Sequence, residues 1–216
     1  MNEEHKQEFN TQEVKESART AVERSKSIRE DVRNITMKAL SEGRLDIKKM
    51  NQVIRAVTEG VSIGAEAKGS HVKDALLDAM SGMDEALSKS AEASKLAIEE
   101  TAGHVKDFSS HDLKKALDDL LTLEKLFFDT VHDVAQGADE MVKDTMSDMV
   151  NHAKQSGSSV GKTSADAVSS LNQKLGRTLK DTASTSTHAT LEVGAHIASA
   201  AAGLLEGIAE KLQSKN

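Results

Sequence analysis

The 216-residue chain has no proline, no cysteine, no tryptophan and no tyrosine, and only four phenylalanines. Proline makes up about 5% of ordinary chains, and it breaks helices by removing a backbone donor and clashing with the preceding turn. Its absence leaves long helices uninterrupted. With no cysteine, disulfides, thiolate nucleophiles and zinc–thiolate sites are excluded, and the composition suits a reducing cytoplasm. Ligand pockets are usually shaped by aromatic side chains, so at 2% aromatics the chain is a poor candidate for an enzyme. The N-terminus, Met1 to Asn10, is charged and lacks an apolar run, so no signal peptide is expected.

What the chain does have is an eleven-residue ruler. Met50, Val61, Val72, Met83, Ser94 and Val105 stand eleven apart. So do Val53, Gly64, Ala75, Ala86, Ala97 and Phe108, and the row Ile54, Ala65, Leu76, Leu87, Ile98. The tetrapeptide His71-Val72-Lys73-Asp74 returns as His104-Val105-Lys106-Asp107. Eleven residues make three turns of about 3.67 residues, close to a relaxed helix, so such spacing lays an apolar stripe along one side.

Four segments follow from stripe and punctuation. Residues 1–10 read as a frayed end, 11–154 as a bundle of long helices, 155–163 as a Gly/Ser linker, and 164–213 as a C-terminal amphipathic helix. A first helix starts at a Thr11 cap and carries the seam Val14, Ala18, Ala21, Ser25, Ile28, Val32, Ile35, Ala39, spaced as in a coiled coil. Gly43 is expected to stop it. A second starts at an Asp46 cap and reaches Phe108, with Gly69-Ser70 and Ser81-Gly82 as weak points; Ser81 with Asp84 has capping-box spacing. A third, to about Lys154, concentrates large apolar side chains: Leu120, Leu123, Phe127, Val131 and Val134 are the expected core. In the last helix Asp181–Thr190 is Ser/Thr-rich and its stripe is thin. Val193, Ile197, Leu204, Leu205 and Ile208 form a dense apolar end, the expected partner- or surface-binding element.

The net charge of −7 is unevenly spread. Residues 1–60 carry 12 basic and 11 acidic side chains, and residues 61–150 carry 9 and 19. A mildly basic first helix and an acidic middle can complement each other by packing. Nucleic acid is not an expected partner, because the chain is acidic and the basic stretch has no aromatic platform.

Three constellations imitate chemistry. Gly157-Ser158-Ser159-Val160-Gly161-Lys162-Thr163 resembles a phosphate-binding loop, but Ser156 stands where the first glycine belongs and no strand precedes it. Glu100/His104, Asp129/His132, Asp148/His152 and Glu192/His196 have helical spacing for metal ligands. A di-metal bundle needs Glu-x-x-His motifs, and none occurs. Ordinary surface pairing is expected instead, with no metal and no cofactor. Finally, Val193–Ala209 is too short and too rich in small residues for a transmembrane span. Gly203 and Gly207, like Gly60 and Gly64, have the G-x-x-x-G spacing that lets helix backbones approach closely.

The expected fold is all-α: three or four long amphipathic helices in an elongated antiparallel bundle or coiled coil. The eleven-residue repeats, the weak Ala/Ser/Gly/Met stripe and the basic–acidic blocks, over roughly residues 11–213, resemble those of phasins, which coat polyhydroxyalkanoate granules. The resemblance implies a non-enzymatic amphipathic coat or interaction protein, cytoplasmic and associated with a granule or membrane surface. Its partners would be an apolar lipid or polymer surface, other helices, or further copies of itself. The alternative is a soluble self-associating coiled-coil scaffold or a stress-protective protein.

Overall fold

The computed structural model describes residues 10–41, 46–104 and 110–182. These residues form seven α-helices and no strand: α1 (Thr11–Arg24), α2 (Ile28–Ser41), α3 (Ile47–Glu66), α4 (Val72–His104), α5 (Ser110–Ala135), α6 (Glu140–Ser156) and α7 (Ser159–Thr182). The expected long helices are therefore subdivided. The first breaks at Ser25–Ser27, the second at Ala67–His71, and the third at Gln136–Asp139.

Each break has a local cause. Ser25 closes α1 through its own N–H to the Ala21 carbonyl (2.9 Å), and its hydroxyl accepts from Ser27 N (2.8 Å). Serine side chains compete for backbone groups in this way wherever a helix can be interrupted. Between α3 and α4, Gly69 takes a φ of 54°, which only glycine adopts without strain. Two caps differ from expectation. Asn10, not Thr11, caps α1, its side chain accepting from the N–H groups of Gln12 and Glu13. Ser81-Gly82 does not interrupt α4, so Ser81 and Asp84 form no capping box there. Asp46 does cap α3, accepting from Lys49 N at 2.9 Å. Gly43 lies outside the described residues.

The direction of the helices follows from which residues meet. Lys15 pairs with Glu59 (2.9 Å), and Lys68 reaches the Glu23 carbonyl (3.1 Å), so α1 and α3 run parallel. The chain must return between them, and α2 is that return. On the other side of the molecule Ser88 meets Thr163 and Glu99 meets Ser170, so α4 and α7 also run parallel. The result is three stacked helical hairpins: α1–α2, α3–α4, and α5 with α6–α7. One row holds α1, α3 and α5; the other holds α2, α4 and the α6–α7 pair.

Small residues set the closeness of the stack. Gly60 and Gly64 of α3 face Lys15, Ala18, Arg19 and Val22 of α1, and a methyl group built on Gly64 would lie 2.7 Å from the Arg19 carbonyl oxygen. Gly82 of α4 meets Arg29 and Arg33 of α2 in the same way. The described members of the three eleven-residue rows are buried, apart from half-buried Ser94. Leu120, Leu123, Phe127 and Val131 lie in the core, while Val134 is half-buried.

Charge complementarity joins neighbouring helices within each row. Besides Lys15–Glu59, Arg29 and Arg33 of α2 both pair with Glu85 of α4, and Arg55 pairs with Asp133 (3.4 Å). Such exposed pairs contribute about 0–1 kcal/mol each, so they select the partner face more than they stabilise it.

Candidate functional site

A groove of about 450 Å³ lies between α4, α5 and α6. Its length is set by α4 from Lys73 to Asp84 and by α6 from Thr145 to Ser156. Its floor is apolar: Met80, Phe127, Phe128, Met149 and Val150, with Leu77 at the edge. The two phenylalanine rings stack at 5.6 Å between centroids, tilted by 31°. Half of the chain's four aromatic rings are thus spent on this one surface. Leu77 is 42% exposed, a large apolar side chain on a groove wall rather than in the core. The consecutive Phe127-Phe128 pair was a legible signal: two bulky rings at a 100° offset cannot both serve one narrow helix stripe.

The polar part of the groove gathers at one end. There α6 stops at Gly157, whose φ of 83° and ψ of 158° belong to a region essentially confined to glycine. The expected linker over 155–163 narrows to Gly157 and Ser158, because α7 starts at Ser159. Asp84 reaches across from α4 and caps α7. Its two carboxylate oxygens accept from Ser159 N (2.8 Å) and Val160 N (2.9 Å). The Ser158 hydroxyl accepts from Gly161 N (3.0 Å) and donates to Glu124 of α5 (2.5 Å).

This arrangement accounts for the phosphate-loop imitation. The free N–H groups at a helix start would otherwise attract an anion. Here the protein supplies the anion itself, from a residue 75 positions away, and the loop becomes a joint between α4, α5 and α7. The segment Gly157–Gly161 also spells G-x-S-x-G, but it follows a helix, so the strand-to-helix turn that would present Ser159 as a nucleophile is missing.

The remaining sequence candidates do not converge. Asp148 and His152 both face the groove, while His132 is exposed on α5. Glu100 and His104 lie where no side chain is described. No group of three or more potential metal ligands exists among the described residues. No helix among them is long and apolar enough to cross a membrane. Val193, Ile197, Leu204, Leu205 and Ile208 lie outside the described residues.

Among the described residues one carboxyl is displaced. Burial pushes the Asp119 carboxyl above the usual carboxylate range; Lys115 opposes this, and Asp118 and Asp46 add to it. Asp119 stands on α5, eleven residues after Phe108, where the apolar row ends in a carboxylate.

The class defined by fold and groove is an all-helical stack of hairpins. Residues 4–214 match a family of unknown function, DUF6781, and the chain belongs to that family. No curated protein and no solved structure matches the chain.

Proposed function

We propose that the protein is a non-enzymatic helical interaction protein that binds an apolar partner as a folded body. The observation that supports this reading is the α4–α5–α6 groove: an apolar, Phe-floored channel open among the described residues, beside the packed core. The eleven-residue spacing then serves as a register device, bringing equivalent faces of successive helices into the same core. The apolar run 193–209 would add a second contact.

A coat protein of the phasin type, on a lipid or polyester granule, is the form of this reading in which the partner is an extended surface. A self-associating scaffold is the second form, in which the partner is another copy. The hairpin stack favours binding without spreading. About forty apolar side chains already face one another in the core, so lying flat on an apolar surface would exchange buried contacts for buried contacts rather than remove new area from water.

Circular dichroism melting of the full chain, in buffer and with lipid vesicles or polyester particles, tests this alongside a solution mass measurement. The expected result is a cooperative melt in buffer and a higher Tm with a partner, without added helix. A large gain of helix on the surface would favour a spreading coat. A monomer whose Tm ignores both surfaces would remove the reading.

A further inference from the structure

The groove's length and lining bear on what fits it. Lys73 to Asp84 spans three helical turns, about 16 Å. An extended peptide laid on the apolar floor would bring backbone N–H and C=O groups against side chains that offer them no hydrogen bonds. A single unbranched hydrocarbon chain is narrow, apolar along its whole length and leaves no polar group unmatched there. The floor suits it, since methionine side chains such as Met80 and Met149 adapt to an irregular apolar guest.

The charges on the lining choose the head group. Asp84 is committed to the N–H groups of α7. Lys73 is the one ammonium on the lining, stands at the end away from that joint, and has no ion-pair partner among the described residues. Asp148 lies partway along the opposite wall, with His152 one turn further on. We propose that the α4–α5–α6 groove binds one acyl chain, its tail along Leu77, Met80, Phe127, Phe128 and Met149 and its carboxylate or other anionic head at Lys73. This rests on the reading of the protein as a binder of apolar partners, and names the chemistry of one of them.

Calorimetric titration of the full chain with octanoate, decanoate and laurate, below their micelle concentrations, tests the proposal; 1-decanol serves as the uncharged control. Binding should saturate at one chain per protein. Affinity should rise about fourfold per added methylene, the equivalent of about 0.8 kcal/mol. Lys73→Gln should weaken decanoate about three- to fivefold, in the range of an exposed ion pair, and leave decanol unchanged. Asp148→Asn should tighten decanoate. Ala153→Phe, which plugs the channel from α6, should abolish both, with an unchanged dichroism spectrum as the check on folding.

Absence of saturable binding, indifference to chain length, or full binding by Ala153→Phe would overturn the proposal. Equal weakening of decanoate and decanol by Lys73→Gln would overturn the head-group assignment. If vesicles or particles still raise the Tm while no fatty carboxylate binds, this inference fails and the broader reading stands. If both fail, so does that reading.

Discussion

Replacing Gly64 by alanine sets two physical effects against each other. In a helix interior alanine is favoured over glycine by about 1 kcal/mol, and Gly64 lies within α3. A free helix would therefore be stabilised. In the stack, the added methyl would sit 2.7 Å from the Arg19 carbonyl oxygen and 2.8 Å from Val22 Cβ, both on α1. The first is backbone, and the second belongs to a fully buried side chain, so neither swings away. Forcing a methyl into such a seam costs about 1–3 kcal/mol, and backbone contact puts Gly64 at the upper end. The net effect is a loss of about 1–2 kcal/mol after the propensity gain. For a chain of this size that is roughly a 2–8 °C drop in Tm. Gly60→Ala, which meets Lys15 and Ala18, should behave alike. Gly137→Ala is the control. It lies in the α5–α6 turn with its nearest neighbour at 3.7 Å, and alanine there should be neutral or stabilising by about 0.4–1 kcal/mol. Thermal and urea melts followed by dichroism would give all three values. If Gly64→Ala stabilises as much as Gly137→Ala, α1 and α3 are not in backbone contact, and the parallel stacking of the first two hairpins is wrong.

Asp84→Ala should cost about 1 kcal/mol, the usual loss of a helix cap, and hydrogen exchange should show the first amides of α7 opening while those of α4 stay protected. Asp119→Asn should stabilise the protein at neutral pH. The folded-state pKa is raised, so the ionised carboxylate opposes folding above the ordinary carboxylate range, and the penalty disappears as pH falls below the unfolded value; a gain that persists unchanged in acid would refute that cause. Phe127→Ala, at 3% exposure, should cost about 3–5 kcal/mol in a urea melt, much of the 5–15 kcal/mol margin of a typical domain.

Helical class and buried faces were legible in the sequence because both depend on local periodicity. Ala18, Ala21, Val32 and Ala39 lie on the expected seam and are buried, and so are Val53, Ala75, Ala86 and Ala97 of one eleven-residue row. Apolar spacing records which side of a helix leaves water, whatever it then packs against. Where the helices end was less legible. The break at Ser25–Ser27 falls on a seam position, and no glycine or proline marks it. Ser25 closes the helix locally, but serines also sit inside other helices of this chain, and contacts from 45 residues on, Lys68 with the Glu23 carbonyl and Gly60 and Gly64 against α1, hold the turn at this register.

The groove shows the same division. The sequence singled out Phe127 as core and Asp148/His152 as a surface pair. It could not place Lys73 and Leu77 beside them, because 75 residues separate Lys73 from Asp148. Asp84 is the sharpest case. Its local spacing to Ser81 suggests a cap for its own helix, yet α4 runs straight through and the carboxylate closes α7 instead. Composition and periodicity alone determined that this chain is helical and which faces it buries, since those follow from interactions within a few turns. Only the tertiary structure decided where the helices reverse, which polar groups satisfy which helix ends, and that an apolar channel stays open, since each depends on partners brought together from distant parts of the chain.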